Sequence, residues 1–234
     1  MVEPTSIALN NIDLSKIVLA IGGLGTAAYG VVDALKAFGG GISNRGFGDI
    51  RNIITKFIPS TGQKAESAHS LPSVLATLRA NWINGMPMSD QKSIAKALIK
   101  LNLTRENARD MAAAAGVDAD RLMAVAEKLV TAKPLEPEET DVYGRFDLLL
   151  SAQLDEGYQR GDQRYRNSAK ALAVPVAVVL ALLGAWAIDG STFGWHDAIK
   201  AFAGGLLATP LAPVAKDVAS TIQAGAKLAQ VWKK

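Results

Sequence analysis

The chain has 234 residues, of which 49% are hydrophobic and 20% charged, with a net charge of +3 and no cysteine. The missing cysteine excludes disulfides, thiolate metal sites and Cys nucleophiles, and the small, scattered positive charge gives no footing for nucleic acid. A mean hydropathy of +0.16 is high for a chain this charged, and the excess sits in residues 17–32, 171–188 and 201–215.

Residues 1–16 hold Glu3, Asp13 and Lys16 without a basic stretch, which argues against a cleaved secretory signal. Ile17 to Val32 is uncharged, and Leu35 and Phe38 extend its apolar face between Lys16 and Lys36, whose stems can reach the interfaces; this predicts a first transmembrane helix over about 17–38. Gly22, Thr26 and Gly30 fall at i, i+4 and i+8, a stripe that admits another helix backbone. Gly39, Gly40 and Gly41 end it. Ile50, Ile53, Ile54 and Phe57 then mark an amphipathic helix that either lies on a membrane surface or covers the following domain.

After a polar loop from Pro59 to Ser70, short helices are expected up to Pro134, with Pro72 in a first turn and Val74, Leu75, Leu78, Trp82 and Ile83 on one face. Ser89, Thr104 and Asp118 are read as N-caps of helices near 90–101, 105–115 and 119–132, and Gly116 as a C-terminal stop. Pro134, Glu136, Pro137, Glu138 and Glu139 form an acidic linker suited to a helix N-terminus.

The organising stretch is Val142 to Ile188. Val142, Phe146, Leu149, Leu150, Leu154, Tyr158 and Tyr165 recur at helical spacing, and then Ala171 to Ile188 carries no charge. One helix of this length measures roughly 70 Å, more than one globular layer accommodates. Its end, about 169–188, is read as the second span, with Pro175 a kink, Ala173, Ala177, Ala181 and Ala185 a second close-packing stripe, and Trp186 and Asp189 the far interface. Residues 191–215 form a third kinked span or a re-entrant segment broken by Gly204, Gly205, Pro210 and Pro213; residues 216–234 form an amphipathic helix with a basic end at Lys233 and Lys234.

Arg45, Arg51 and Lys56 follow the first span, Arg160, Arg164, Arg166 and Lys170 precede the second, and Lys216, Lys227, Lys233 and Lys234 follow the third. With three crossings all lie on one side, which predicts an outside N-terminus and a cytoplasmic central domain and C-terminus. The same arginines and Lys170 are candidates for partner or anionic-lipid contact, set against helix-surface ion pairs with Asp155, Glu156 and Asp162. Asp33 and Lys36 pose a similar choice between a polar path and a headgroup-level pair.

The run from Leu154 to Arg166, leading into an apolar span that ends at Asp189, resembles an uncharacterised family of bacterial inner-membrane proteins. Those have an N-terminal span, a variable helical insert, and an acidic pair, a basic residue and a Tyr-Lys-Arg run before the next span. Asp155, Glu156, Arg160, Tyr165 and Arg166 sit where that pattern puts them. The resemblance implies a topology and a bacterial inner-membrane location, and no activity.

His69 and His196 have no partner ligand at i+3 or i+4, Gly39-Gly40-Gly41 lacks the Lys of a phosphate loop, and Asn102-Leu103-Thr104 on a cytoplasmic face is an accidental glycosylation match. No cofactor, metal or catalytic constellation is expected. The sequence therefore predicts an all-α integral membrane protein with two to three transmembrane helices, one long helix continuing from a cytoplasmic domain into the membrane. Its segments are 1–41, a helical insert 42–140, the long helix 141–190, then 191–215 and 216–234. The functional expectation is a non-enzymatic scaffold or accessory subunit in a homo-oligomer or larger membrane complex; the alternative is an oligomeric channel, transporter component or membrane-perforating effector.

Overall fold

The computed structural model describes residues 14–58 and 70–231. The expectations for residues 1–13, for most of the 59–70 loop, for His69, and for Lys233 and Lys234 lie outside the described residues, as does the side chain of Lys227. Among the described residues there is no strand. The helices are α1 (Leu14–Ala34), α2 (Ser43–Phe57), α3 (Leu71–Ile83), α4 (Met88–Leu101), α5 (Ala108–Ala115), α6 (Ala119–Val130), α7 (Pro137–Asp189) and α8 (Trp195–Val231), with 3-10 turns at Leu35–Ala37 and Gly190–Thr192. The chain divides into one compact unit over Lys36–Asn167 and another formed by the residues up to Leu35 and from Ser168. The helix α7 contributes to both.

In the first of these units the core is built on α7. Val142, Phe146, Leu150, Leu154 and Tyr158 recur every four residues and are all buried, so the face anticipated from spacing is the wall of the core. Against it lie Phe47, Ile50, Ile54 and Phe57 of α2, and Phe57 meets Phe146 edge-on at 6.3 Å. The apolar face of α2 is thereby spent on the domain core. Of the two readings open for that helix, the covering one holds. Because the first thirty or so residues of α7 form this wall, the compact unit extends to Asn167 instead of ending near residue 140.

The caps follow the sequence in part. Asp118 accepts a hydrogen bond from the Arg121 backbone N–H at 2.8 Å, and Gly116 ends α5 with φ of 76°, a left-handed turn that glycine adopts without a Cβ penalty. Ser89 is not a cap: α4 begins at Met88 with Pro87 at its N-cap, and Ser89 lies in the first turn with its hydroxyl on Asp90. Thr104 is not one either. The Asn107 carboxamide accepts from the Thr104 N–H at 2.8 Å and donates to the Asn102 carbonyl, which holds residues 105–107 in a turn and delays α5 to Ala108. The helix α6 stops at Val130, two residues early, where Ala132 takes φ of 51°.

The long helix starts at Pro137, five residues before the expected Val142. Glu139 reaches back to the Glu136 backbone N–H at 2.7 Å, the reciprocal half of a capping box, and Lys128 binds Glu139 and Glu136 at 2.7 and 3.0 Å. The acidic linker is thus the first turn of the helix. At the other end, α8 runs unbroken from Trp195 through Pro210 and Pro213 to Val231, so the separate segments 191–215 and 216–234 are one helix. The two prolines are exposed and three residues apart, so both missing N–H groups fall on one outer face.

Candidate functional site

The second unit gathers three helical stretches long and apolar enough to cross a membrane: Ser15–Ala37, part of Pro137–Thr192, and Trp195–Gln223. They meet through small residues. Gly22, Gly25, Ala28 and Val32 form the buried face of α1, and Gly205, Ala208, Ala212 and Ala215 that of α8. A Cβ on Gly25 would fall onto the Ala208 carbonyl, one on Gly22 would strike Ala215 and lie 2.9 Å from the Leu211 carbonyl, and one on Gly205 would be 2.6 Å from the Val178 Cα of α7. Small residues let these backbones approach closely enough to pack by van der Waals contact.

The predicted stripes are divided by this packing. Gly22 is used within the chain, but Thr26 and Gly30 are exposed: Thr26 turns its hydroxyl back to the Gly22 carbonyl at 3.1 Å, and nothing lies within 4 Å of where a Gly30 Cβ would be. The neighbour actually used is Gly25, at i+3, because the helix presents its i, i+3 row to α8. On α7, Ala173 and Ala177 are fully buried, and Ala181 and Ala185 are half-buried along a cleft of about 450 Å³ between the three helices. Gly25 and Gly205 were missed as contacts; the signal was present in the Gly22/Gly25 and Gly204/Gly205 pairs, but spacing does not say which row faces inward.

Within Lys36–Asn167 a second close approach was also missed. Gly46 of α2 sits against Gly161 of α7, and a Cβ on Gly157 would lie 2.7 Å from the Ile53 side chain. Gly157 and Gly161 are four residues apart, the spacing that could have revealed them. Beside this contact is a pocket of about 220 Å³ lined by Trp82, Met86, Met88, Gln91 and Tyr165, with Lys36 at 4.9 Å over the Tyr165 ring. The Trp82 indole donates to the Ser43 carbonyl at 2.9 Å, Gln91 donates to the Met86 carbonyl at 2.6 Å, and the Gln91 amide oxygen is buried without a partner. Burial pushes the nearby Tyr158 phenol far above its ordinary range, so it stays a donor, here to the Gln91 carbonyl at 3.3 Å.

The basic run is engaged. Arg160 pairs with Glu156 at 2.6 Å, Arg164 with Asp49 at 3.1 Å, and Arg166 with Asp162 at 2.7 Å, while Lys170 is exposed and makes no ion pair among the described residues. A second set of charges ties α4 to α7: Lys92 meets Asp155, and Lys96 and Lys100 converge on Asp147 at 2.5 and 2.9 Å. These groups are half-exposed, so each pair contributes about 0.2–1 kcal/mol and serves mainly to fix register. His196 is exposed at the start of α8. Among the described residues no three His, Asp or Glu side chains gather closely enough to hold a metal ion.

No family model, curated protein or solved structure matches this chain.

Proposed function

We propose that the protein is an integral membrane scaffold or accessory subunit without enzymatic activity. It resides in a bacterial inner membrane with its N-terminus outside and the Lys36–Asn167 unit and C-terminus in the cytoplasm, and it assembles with itself or with a larger membrane complex. One observation carries the reading. In the 18-residue apolar window of each stretch only 22%, 11% and 28% of the residues are buried within the chain, although the inner faces approach to backbone contact. Ile17, Val31, Val179, Leu183, Phe202 and Leu206 are left outside. In water that surface would drive aggregation, whereas acyl chains solvate it at no cost.

The same packing moves the expected assembly face. With Gly22 occupied by α8, the small residues of α1 open to a further helix are Gly23, Thr26, Ala27 and Gly30. Nothing lies within 4 Å of a Cβ on Gly23 or Gly30, so enlarging them leaves the chain's own packing alone. The test is flotation of the expressed protein with vesicles, followed by mass measurement in mild detergent. Flotation and a multimeric or complexed species that the Gly23→Leu/Gly30→Leu variant reduces to single chains support the proposal. A monomer that stays in the supernatant without surfactant overturns it.

A further inference from the structure

The cleft between α1, α7 and α8 is apolar along its depth and charged at one end. Its walls include Ile21 and Leu24 of α1, Leu180 and Ala181 of α7, and Ala201 and Gly204 of α8; Asp189, Asp197 and Lys200 stand at its mouth. From Leu180 to Asp189 the helix rises by about 13 Å, close to the thickness of one leaflet's hydrocarbon. Ile188 lines the cleft and is 85% exposed, and Trp186 and Trp195, three and two residues along the chain from Asp189 and Asp197, are 59% and 77% exposed. Indoles concentrate where headgroups meet hydrocarbon, which sets the mouth at headgroup level.

We infer that this cleft holds one glycerophospholipid with a phosphoethanolamine headgroup, an acyl chain lying between the helices and the headgroup at Asp189 and Lys200. The inference rests on the proposed membrane residence. The charges select the headgroup. Asp197 is already engaged, through the Gly194 N–H and Lys200, both at 3.3 Å, while Asp189 has no ion pair among the described residues. Asp189 accepts the lipid ammonium, and Lys200, 79% exposed at its side chain and giving one contact at 3.3 Å to Asp197, keeps two N–H groups for the phosphate. A phosphoglycerol headgroup brings a net negative charge to a mouth with two carboxylates and one lysine. A choline headgroup has no N–H to give to Asp189. The zwitterion with three ammonium donors satisfies both ends.

The cleft also supplies its own test, because nothing lies within 4 Å of a Cβ on Gly184, which lines it. Leucine there projects into the lipid's space from a position whose Cβ meets no neighbour. The full chain is reconstituted into nanodiscs with equal amounts of palmitoyl-oleoyl phosphatidylethanolamine, phosphatidylglycerol and phosphatidylcholine. Flotation with vesicles of the same mixture is scored first, and lipids retained on release into the gas phase are then weighed. The expected result is one retained phosphatidylethanolamine per chain, favoured about tenfold over either competitor. Asp189→Asn should bring that ratio near unity, and Gly184→Leu should abolish retention while flotation is unchanged. Three findings in a chain that floats overturn the lipid site alone: equal retention of the three lipids, retention that survives Gly184→Leu, or a second copy of the chain lost on Gly184→Leu in place of a lipid. Failure to float overturns the membrane reading and this inference with it.

Discussion

Gly46 and Gly161 face each other so closely that a β-carbon on Gly46 would stand 2.5 Å from the Gly161 carbonyl oxygen, and one on Gly161 would stand 2.7 Å from the Gly46 oxygen. The contact is backbone on backbone, so neither side can yield by changing a rotamer. It fixes where α2 crosses α7 and thereby where Ile50, Ile54 and Phe57 enter the core. Gly161→Ala should destabilise this unit by about 1–3 kcal/mol through overpacking. Gly144→Ala, at a position with open space in the same helix, should stabilise it by about 0.5–1 kcal/mol through helix propensity alone. Thermal unfolding followed by circular dichroism distinguishes the two; a Gly161→Ala variant stabilised as much as Gly144→Ala would show that the glycine contact is not tight.

In the unit that carries the three apolar stretches the counterpart is Gly25. Its Cβ would enter the Ala208 carbonyl, so Gly25→Leu should separate α1 from α8, whereas Gly30→Leu should not. Cysteines placed at exposed positions of α1 and α8 and followed by spin-label distances in nanodiscs would read the separation. A distance unchanged in Gly25→Leu would count against the close packing.

The caps offer a paired comparison. Asp118→Ala removes the acceptor for the Arg121 N–H and should cost about 1 kcal/mol. Ser89→Ala should change stability by less than about 0.5 kcal/mol, because Pro87 and not Ser89 holds the N-cap position. Urea unfolding of the two variants checks this, and a larger loss for Ser89→Ala would return the cap to that residue.

Asp147 sits between Lys96 and Lys100. Burial disfavours its charge, but the hydrogen bonds from the two lysines outweigh that and hold its carboxyl below the usual range. A depressed folded pKa contributes stability that is present above the unfolded value, about 3.9, and lost as pH falls through the folded one. For Lys100, burial opposes the ammonium while hydrogen bonds with Asp147 and Tyr143 raise its pKa, so its share is present below about 10.4 and lost as pH rises through the higher folded value. The pair should therefore help across neutral pH and fade at both extremes. Asp147→Asn should cost about 1 kcal/mol at pH 7 and much less near pH 3. Unfolding midpoints measured from pH 3 to 11 follow both edges.

Each residue's neighbours along the chain were enough to specify most of the helices and their apolar faces, though not that Trp195–Val231 runs as one helix. The four-residue recurrence from Val142 to Tyr158, the left-handed stop at Gly116 and the uncharged run before Asp189 are local facts, and a helix turns them into a face or an end without outside help. Choosing among equally good local options needed the other helices. Gly22, Thr26 and Gly30 and the row Gly22, Gly25 and Ala28 are both small-residue rows on the same helix, and only the position of Ala208 and Ala215 on α8 decides which is buried. The start of α5 was likewise settled by Asn107 bridging Thr104 and Asn102, and the use of α2's apolar face by the contact of Gly46 with Gly161. Periodicity fixes what a helix has to bury; which partner buries it depends on backbone distances that no single stretch of sequence contains.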